Sequence, residues 1–210
     1  MIVSDRLKAR LEMLGTGEAV KTIYSRKLIE ATQTFYLLLR GTETGELAQK
    51  AGRLIDEAVF MHIEGGLQVD CKPGCNHCCH QRVSVTVPEM DMIMESKLIK
   101  LTIPLKLKLQ TDAGDKFDEL PVSDRACVFL EDFGCGIYND RPLVCRLLHS
   151  KSESACIANN TTDNVVIDYA EAVYTAYLTV LRERALLKPS KDNTLHKQFY
   201  LRLLSRQKLL

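Results

Sequence analysis

The stretch Cys71-Lys-Pro-Gly-Cys75-Asn-His-Cys78-Cys79 places four thiols within nine residues, two of them adjacent. The remaining cysteines follow at Cys127, Cys135, Cys145 and Cys156. A buried structural cysteine behaves as a small hydrophobic residue and needs no cysteine neighbours. Metal ions and iron–sulfur clusters, in contrast, need several thiolates at one point. The clustering therefore predicts a thiolate-rich metal site with these eight cysteines as candidate ligands.

The composition is that of an ordinary globular protein. The chain has 210 residues, 46% of them hydrophobic and 26% charged, and a net charge of +1. This charge produces no bulk field that favours nucleic acid or an anionic membrane. We therefore expect no nucleic-acid or membrane partner. The sequence leaves open whether there is a protein partner or substrate, and of what kind.

The N-terminal sequence bears on the redox state of the cysteines. Residues 1–10 carry charges where a signal peptide needs an apolar run of roughly 7–15 residues. We therefore predict a cytoplasmic protein, in which structural disulfides are rare. The alternative is a secreted disulfide framework, which fits the even cysteine count. It fits poorly with the absent signal and with a chain long enough to form its own core.

The two ends of the chain predict helices. Between residues 18 and 40, apolar residues recur at steps of three and four, which draws one stripe along a helix. The stripe consists of Val20, Tyr24, Leu28, Ala31, Phe35 and Leu38. A second helix is predicted from residue 43 to 64, with Leu47, Ala51, Leu54, Ile55, Ala58 and Phe60 as its apolar surface. Two more are predicted near the C-terminus, from residue 163 to 188 and from residue 193 onward.

The middle of the chain is less regular. Thr86-Val-Pro-Glu89 has the form of a capping box and predicts a helix over residues 87–100. The alternation in Leu105-Lys-Leu-Lys-Leu109 indicates a short strand, and residues 111–160 are expected to form loops and turns. The predicted fold is mainly α, with helices from both chain ends around an irregular, metal-stabilised, cysteine-rich middle. The predicted division is residues 1–70, 71–156 and 157–210, within one compact domain.

Three stretches of the middle region carry a family resemblance. They are Cys75-Asn-His-Cys78-Cys79, Cys127-Val-Phe-Leu130 and Cys135-Gly-Ile-Tyr138-Asn-Asp-Arg141-Pro142-Leu-Val-Cys145-Arg146. This pattern resembles the YkgJ-type cysteine-cluster family, which is described as a zinc- or iron-chelating domain. The resemblance spans residues 71–156 and implies metal binding more firmly than any reaction. It implies as ligands Cys71, Cys75, Cys78, Cys79, Cys127, Cys135 and Cys145, with Cys156 at a looser downstream position.

The identity of the metal is open between zinc and iron. One zinc uses four ligands, so eight thiolates would suit two zinc ions. A 4Fe–4S cluster also uses four and would leave thiolates for a second site. The adjacent Cys78-Cys79 pair and the absence of paired C-x2-C knuckles favour an iron–sulfur cluster. Five basic residues are expected to offset the negative charge and to lower the thiol pKa values: Lys72, Arg82, Arg125, Arg141 and Arg146.

Other residues near the cysteines have candidate roles. His77, His80 and His149 could ligate either metal, although the surplus of thiolates favours loop histidines that form hydrogen bonds. The ring of Tyr138 is expected to pack in a small core. Arg141, followed by Pro142, is expected to bind carbonyl or carboxylate groups with its guanidinium.

Two classes of function remain. The first is metal or iron–sulfur binding in an accessory, maturation or modification role. The second is a redox or group-transfer enzyme that uses the metal centre, and the sequence does not decide between them. Cys71-x3-Cys75-x2-Cys78 has the spacing of radical S-adenosylmethionine enzymes. That assignment is disfavoured because His77 occupies the place where those enzymes usually have an aromatic residue, and because few strands follow.

Overall fold

The computed structural model describes residues 18–72, 74–96, 105–131, 134–157, 164–187 and 194–207. The α-helices are α1 Glu18–Arg40, α2 Thr44–Glu64, α3 Val87–Glu95, α4 Leu105–Ala113, α5 Val122–Arg125, α6 Leu143–Leu147, α7 Glu153–Ile157, α8 Asp168–Glu183 and α9 Leu195–Gln207. Short 3-10 helices cover His77–His80, Gly114–Glu119 and Tyr138–Asp140. The strands are β1 Leu130–Glu131, β2 Gly134–Cys135, β3 His149–Ser150 and β4 Asn164–Val165. The mainly α prediction is confirmed.

The first hydrophobic core joins the two ends of the chain. Helix α8 packs against both α1 and α2. Leu39, Ile55 and Tyr177 are each fully buried there. Leu143 and Leu147 of α6 join the same core. Helices from both chain ends thus form a scaffold against which the cysteine-rich segment packs.

A second core lies beside the cysteines. Met90 and Ile93 of α3 are buried with Leu107 of α4 and with Leu195 and Phe199 of α9. The edge of this core includes Cys127 and Cys135, which pack against it directly. Helix α3 therefore lies between the two cores, since its Met92 belongs to the first.

Two antiparallel strand pairs tie down the irregular segment. Strands β1 and β2 pair with Leu130 opposite Cys135. Strands β3 and β4 pair with His149 opposite Val165. An isolated antiparallel bridge between Ser84 and Thr194 also joins the segment after the cysteine loop to the start of α9.

Several predicted elements are confirmed with their bounds or close to them. Helix α1 covers the predicted residues 18–40, and α2 begins one residue later than predicted. The Thr86 and Glu89 capping box at α3 is present in full. Of the helix predicted over residues 87–100, residues 97–100 lie outside the described part of the chain.

Other predictions are wrong. Leu105–Leu109 belongs to helix α4, because Leu107 enters the second core and Gln110 bonds to the carbonyls of Asp124 and Ala126. Helix α8 spans Asp168–Glu183, shorter at both ends than predicted, because the residues before it pair as β4. Leu38 is 45% exposed while the adjacent Leu39 is buried, and Phe60 is 63% exposed.

In the described part of the chain, no helix is both long enough and apolar enough to cross a membrane.

Candidate metal centre

A short hydrogen-bonded turn presents the first group of cysteines. The N–H of Cys75 donates to the carbonyl of Lys72 at 3.0 Å, and the N–H of Cys79 donates to the carbonyl of Asn76 at 2.9 Å. Gly74 has a positive φ of 87°, a conformation that glycine adopts without strain. The carbonyl of Cys79 then accepts from the N–H of Cys127 at 2.8 Å. This last bond fastens the first cysteine group to the second.

Five thiols converge on one region of the molecule. They are Cys78, Cys79, Cys127, Cys135 and Cys145. Burial raises the pKa of Cys127 to about 11 and raises that of Cys145 well above its usual value. The negative charges of neighbouring thiolates contribute to both of these increases. Thiolate sulfur is the donor that zinc and iron–sulfur centres use, so the donor set fits zinc or iron.

Cys78 and Cys79 form a coupled pair. Cys79 donates a hydrogen bond to Cys78, which lowers the pKa of Cys78 to about 7, with a contribution from the charge of Arg141. The same bond raises the pKa of Cys79, as does burial. A thiolate at Cys78 is therefore stabilised by the Cys79 thiol and by the charge of Arg141.

The other three cysteines are Cys71, which is exposed, and Cys75 and Cys156, which are partly buried. The Cys71 sulfur accepts a hydrogen bond from the N–H of Ser150 at 3.3 Å. Burial raises the pKa of Cys71, and the charges of Cys75 and Cys156 raise it further. In the first cysteine loop, Cys78 and Cys79 belong to the five-thiol region, while Cys71 lies near Cys75, Cys156 and also Cys78.

Helix α6 carries Cys145 and is held at its first residue. The carboxylate of Glu89 accepts a hydrogen bond from the N–H of Leu143 at 2.7 Å. Glu89 is fully buried, and its second oxygen accepts from the N–H and hydroxyl of Thr86 at 2.9 and 2.6 Å. Burial raises the pKa of Glu89. This network fixes the position of Cys145 relative to α3.

Arg146, next to Cys145, holds the preceding turn. Its guanidinium pairs with Asp56 of α2 and bonds to the carbonyls of Asn139 and Arg141. Arg141 reaches the same Asp56 carboxylate at 3.1 Å and the carbonyl of Tyr138 at 2.8 Å. The predicted structural role of Arg141 is confirmed by these bonds.

The prediction that the five basic residues lower the thiol pKa values is wrong for most of the cysteines. Burial dominates at Cys71, Cys127, Cys135 and Cys145 and raises the pKa of each, while the hydrogen bond to Cys78 is the main cause of the raised pKa of Cys79. Arg141 does oppose this rise at Cys135 and helps to lower the pKa of Cys78. Lys72 pairs with Glu153 and Arg82 with Asp115. Lys106, which the sequence did not single out, acts on Cys127.

The aromatic candidates are placed differently from one another. His77 lies near Cys75 and Glu153, whereas His80 is in no such group of ligand atoms within the described residues. His149 has a buried Nδ1 without a hydrogen-bond partner in the described structure.

Tyr138 is 61% exposed, and the Arg141 guanidinium covers its ring at 3.9 Å. The prediction that Tyr138 packs in a core is wrong, because this cation–π contact holds the ring at the surface.

A cavity of about 850 Å³ opens beside the thiols. Seven of the eight cysteines line it, the exception being Cys156. Apolar side chains from α2 and from both flanks of the cysteines make up much of the rest, among them Val59, Phe60, Ile63, Val128 and Phe129. Cys75 and Cys145, from the two sequence groups, thus share one cavity wall.

Comparison with known protein families gives a match to the cysteine-rich region. Residues 70–165 match the model of the CxxCxxCC family, whose description reads "Putative zinc- or iron-chelating domain". The cysteine-cluster resemblance is confirmed over this segment. No curated protein and no solved structure matches the chain. The matched segment is thus similar to a domain described as metal-chelating, and the description names zinc and iron without deciding between them.

The cysteine cluster of this chain departs from the family name in one spacing. Three residues separate Cys71 from Cys75, where the name has two between its first two cysteines. The helices α1, α8 and α9 fall largely or wholly outside the matched segment. They supply the scaffold for the site in this protein.

Proposed function

We propose that this protein is a cytoplasmic cysteine-cluster metalloprotein that carries an iron–sulfur cluster, with 4Fe–4S favoured, in an accessory, maturation or modification role. The eight cysteines are the proposed metal ligands, and the five converging thiols form the proposed cluster site. The cytoplasmic assignment rests on the reducing conditions that keep clustered thiols free of disulfides.

The spacing of the five thiols supports a cluster over a single zinc ion. Zn–S bonds of about 2.3 Å at tetrahedral angles place two sulfurs about 3.8 Å apart. Among the described residues, no three of the five sulfurs lie within 4.8 Å of one another. A polynuclear cluster spaces its thiolates more widely, because each one binds a different iron. The convergence of thiols from separate parts of the chain, among them Cys79, Cys127 and Cys145, is the observation that carries the proposal.

The proposal is tested on full-length protein purified without oxygen. We expect brown protein with iron and acid-labile sulfide in equal amounts, and visible absorption that bleaches on reduction. Cys145→Ser should lower the iron content together with the free energy of unfolding, because metal binding is also folding energy. Colourless protein that holds only zinc would overturn the iron–sulfur assignment, and metal-free protein with four disulfides would overturn metal binding.

A second candidate function is catalysis at the metal centre. The cavity beside the thiols supports it, since an enzyme needs a substrate pocket at its metal. The buried Nε of Arg125 lines this cavity without a hydrogen-bond partner in the described structure. Cyanide added to the reduced protein should change its electron paramagnetic resonance spectrum if the cluster has an open coordination position. An unchanged spectrum would indicate a cluster closed by four protein ligands.

A further inference from the structure

A second group of metal-binding side chains lies on the exposed side of the cysteine loop. The sulfur of Cys75, a ring nitrogen of His77 and a carboxylate oxygen of Glu153 lie within 4.8 Å of one another. Within the described residues, no other three side chains of the metal-binding types come this close. Each of the three is partly buried. This group contains nitrogen and oxygen donors, whereas the five-thiol region offers sulfur.

The distance between His77 and Glu153 fits two ligands of one metal ion. Nε2 of His77 lies 3.6 Å from Oε1 of Glu153. This distance is too long for a hydrogen bond. Zinc binds nitrogen and oxygen at about 2.0–2.2 Å, so two such ligands at a tetrahedral angle are about 3.3 Å apart. A shift of a few tenths of an ångström would therefore bring both atoms onto one zinc.

The Glu153 carboxylate is held in the orientation that this requires. Its Oε2 accepts from Nζ of Lys72 at 2.8 Å, which leaves Oε1 directed at His77. The N–H of Glu153 donates to the carboxylate of Asp70 at 3.2 Å, which fixes the start of α7 beside the cysteine loop. Partners of this kind orient metal ligands and tune their affinity.

The fourth ligand is available from the neighbouring cysteines. Cys156 follows Glu153 by three residues in α7, and residues three apart are neighbours on a helix face. Cys71 lies close enough to Cys75 and Cys156 for their charges to act on its thiol. Either sulfur would complete a site of four protein ligands, as structural zinc sites require.

We propose that Cys75, His77 and Glu153, with Cys71 or Cys156, form a second metal site that binds one zinc ion separately from the five-thiol site. Mixed sulfur, nitrogen and oxygen donors suit a mononuclear zinc site, while iron–sulfur clusters are held mainly by thiolates. The zinc would fasten α7 to the cysteine loop. The separation from an iron–sulfur cluster rests on the function proposed above, but the zinc site itself does not.

The experiment measures zinc and iron independently on anaerobic full-length protein. Zinc affinity is obtained by competition with a chromophoric chelator, and iron and sulfide are determined on the same sample. Loss of even an outer partner of a metal ligand typically weakens affinity about 10- to 100-fold. Glu153→Gln alters a proposed ligand itself and should therefore weaken zinc binding at least tenfold. Iron and sulfide should remain at the wild-type level. Cys79→Ser should lower iron and sulfide and should leave the zinc affinity at the wild-type level.

A matched control and a donor-sensitive probe complete the design. Glu64→Gln replaces an exposed carboxylate at the end of α2 and should leave both metals unchanged. Co²⁺ in place of zinc should give the absorption of a tetrahedral site with mixed donors, which Cys71→Ser or Cys156→Ser alters according to which sulfur is bound. Unchanged zinc affinity in both Glu153→Gln and His77→Gln would overturn the second site. Zinc lost from Glu153→Gln in protein that never holds iron would instead overturn the cluster proposal and leave this site standing.

Discussion

Gly52 of α2 lies directly against the guanidinium of Arg146. A Cβ atom at Gly52 would stand 3.0 Å from Nε and 3.1 Å from Cζ of Arg146. Arg146 is 4% exposed and holds Asp56 together with the turn that precedes Cys145. The absence of a side chain at Gly52 is therefore a condition for the placement of a proposed metal ligand.

Gly52→Ala should displace Arg146 and destabilise the protein. Alanine favours a helix interior by about 1 kcal/mol over glycine, so the crowding against Arg146 costs about 1 kcal/mol more than the net loss. We expect a net decrease of about 1–2 kcal/mol in the free energy of unfolding, typical of overpacking. Iron content should fall as well, because Cys145 moves with Arg146. Both quantities are measured by chemical denaturation and metal analysis of the same preparation.

Gly45→Ala provides the matched control for this substitution. Gly45 lies in the first turn of the same helix, and a Cβ there would meet nothing within 4 Å. The control should be neutral or slightly stabilising and should retain its iron. Equal stability and metal content in the two variants would contradict the role assigned to Gly52.

Glu89→Ala should cause a larger loss of stability, because it removes a carboxylate whose two oxygens each accept from one backbone N–H group. The N–H groups of Thr86 and Leu143 would be left buried without their partner. Each unsatisfied buried group destabilises by about 1–3 kcal/mol, so we expect a loss of about 2–5 kcal/mol. Glu89→Gln keeps an acceptor for Leu143 and should lose less. The comparison is made by thermal and chemical unfolding. Since glutamine keeps the shape of glutamate, similar losses in both variants would contradict the prediction that an acceptor for Leu143 limits the loss.

The sequence was most informative where local signals agree. Helix α1 has its predicted bounds because a periodic apolar pattern ends at Gly41, and α3 begins at the capping box that the sequence displays. The five-residue alternation of Leu105–Leu109 was misleading because Leu107 packs against α9, which lies far away in sequence. The pattern assigned Leu38, and not the buried Leu39, to the apolar stripe of α1, because steps of three residues and steps of four residues both fit a helix.

The division of the cysteines could not be obtained from spacing. It depends on contacts such as the bond between Cys127 and Cys79, which joins residues 48 positions apart in the chain. Glu153 was missed because single acidic residues are common in loops. Its spacing of three residues from Cys156 was a usable signal, since residues at that spacing share a helix face.

His196 should make the protein less stable as the pH falls. It is 6% exposed and stacks on Phe117 at 5.1 Å between ring centroids. Burial, with smaller contributions from the charges of Arg82 and Lys197, lowers the pKa of His196 to about 4. Since the folded-state pKa lies below the unfolded value of about 6.5, the contribution is present above pH 6.5. It is lost as the pH falls from about 6.5 towards 4, up to about 3 kcal/mol.

The His196 prediction is checked with a variant and by direct titration. His196→Gln should lose stability less steeply than the wild type over this pH range. Comparing the two chains at each pH cancels the metal loss that acid causes in both. Nuclear magnetic resonance of the His196 ring should give a midpoint near pH 4, and a midpoint near 6.5 would refute the predicted shift.

Removal of metal should loosen the cysteine-rich segment before the helical scaffold. Helices α5, α6 and α7 and all four strands contain two to five residues each, too few to be stable alone. The first core, with Ile55 and Tyr177 fully buried, does not include the thiols. Hydrogen exchange on chelated protein should therefore show lost protection at the N–H of Cys127, while α1, α2 and α8 remain protected. Circular dichroism should fall only slightly, because most helical residues lie outside the segment. Uniform loss of protection across all helices would instead mean that the metal sites hold the entire fold together.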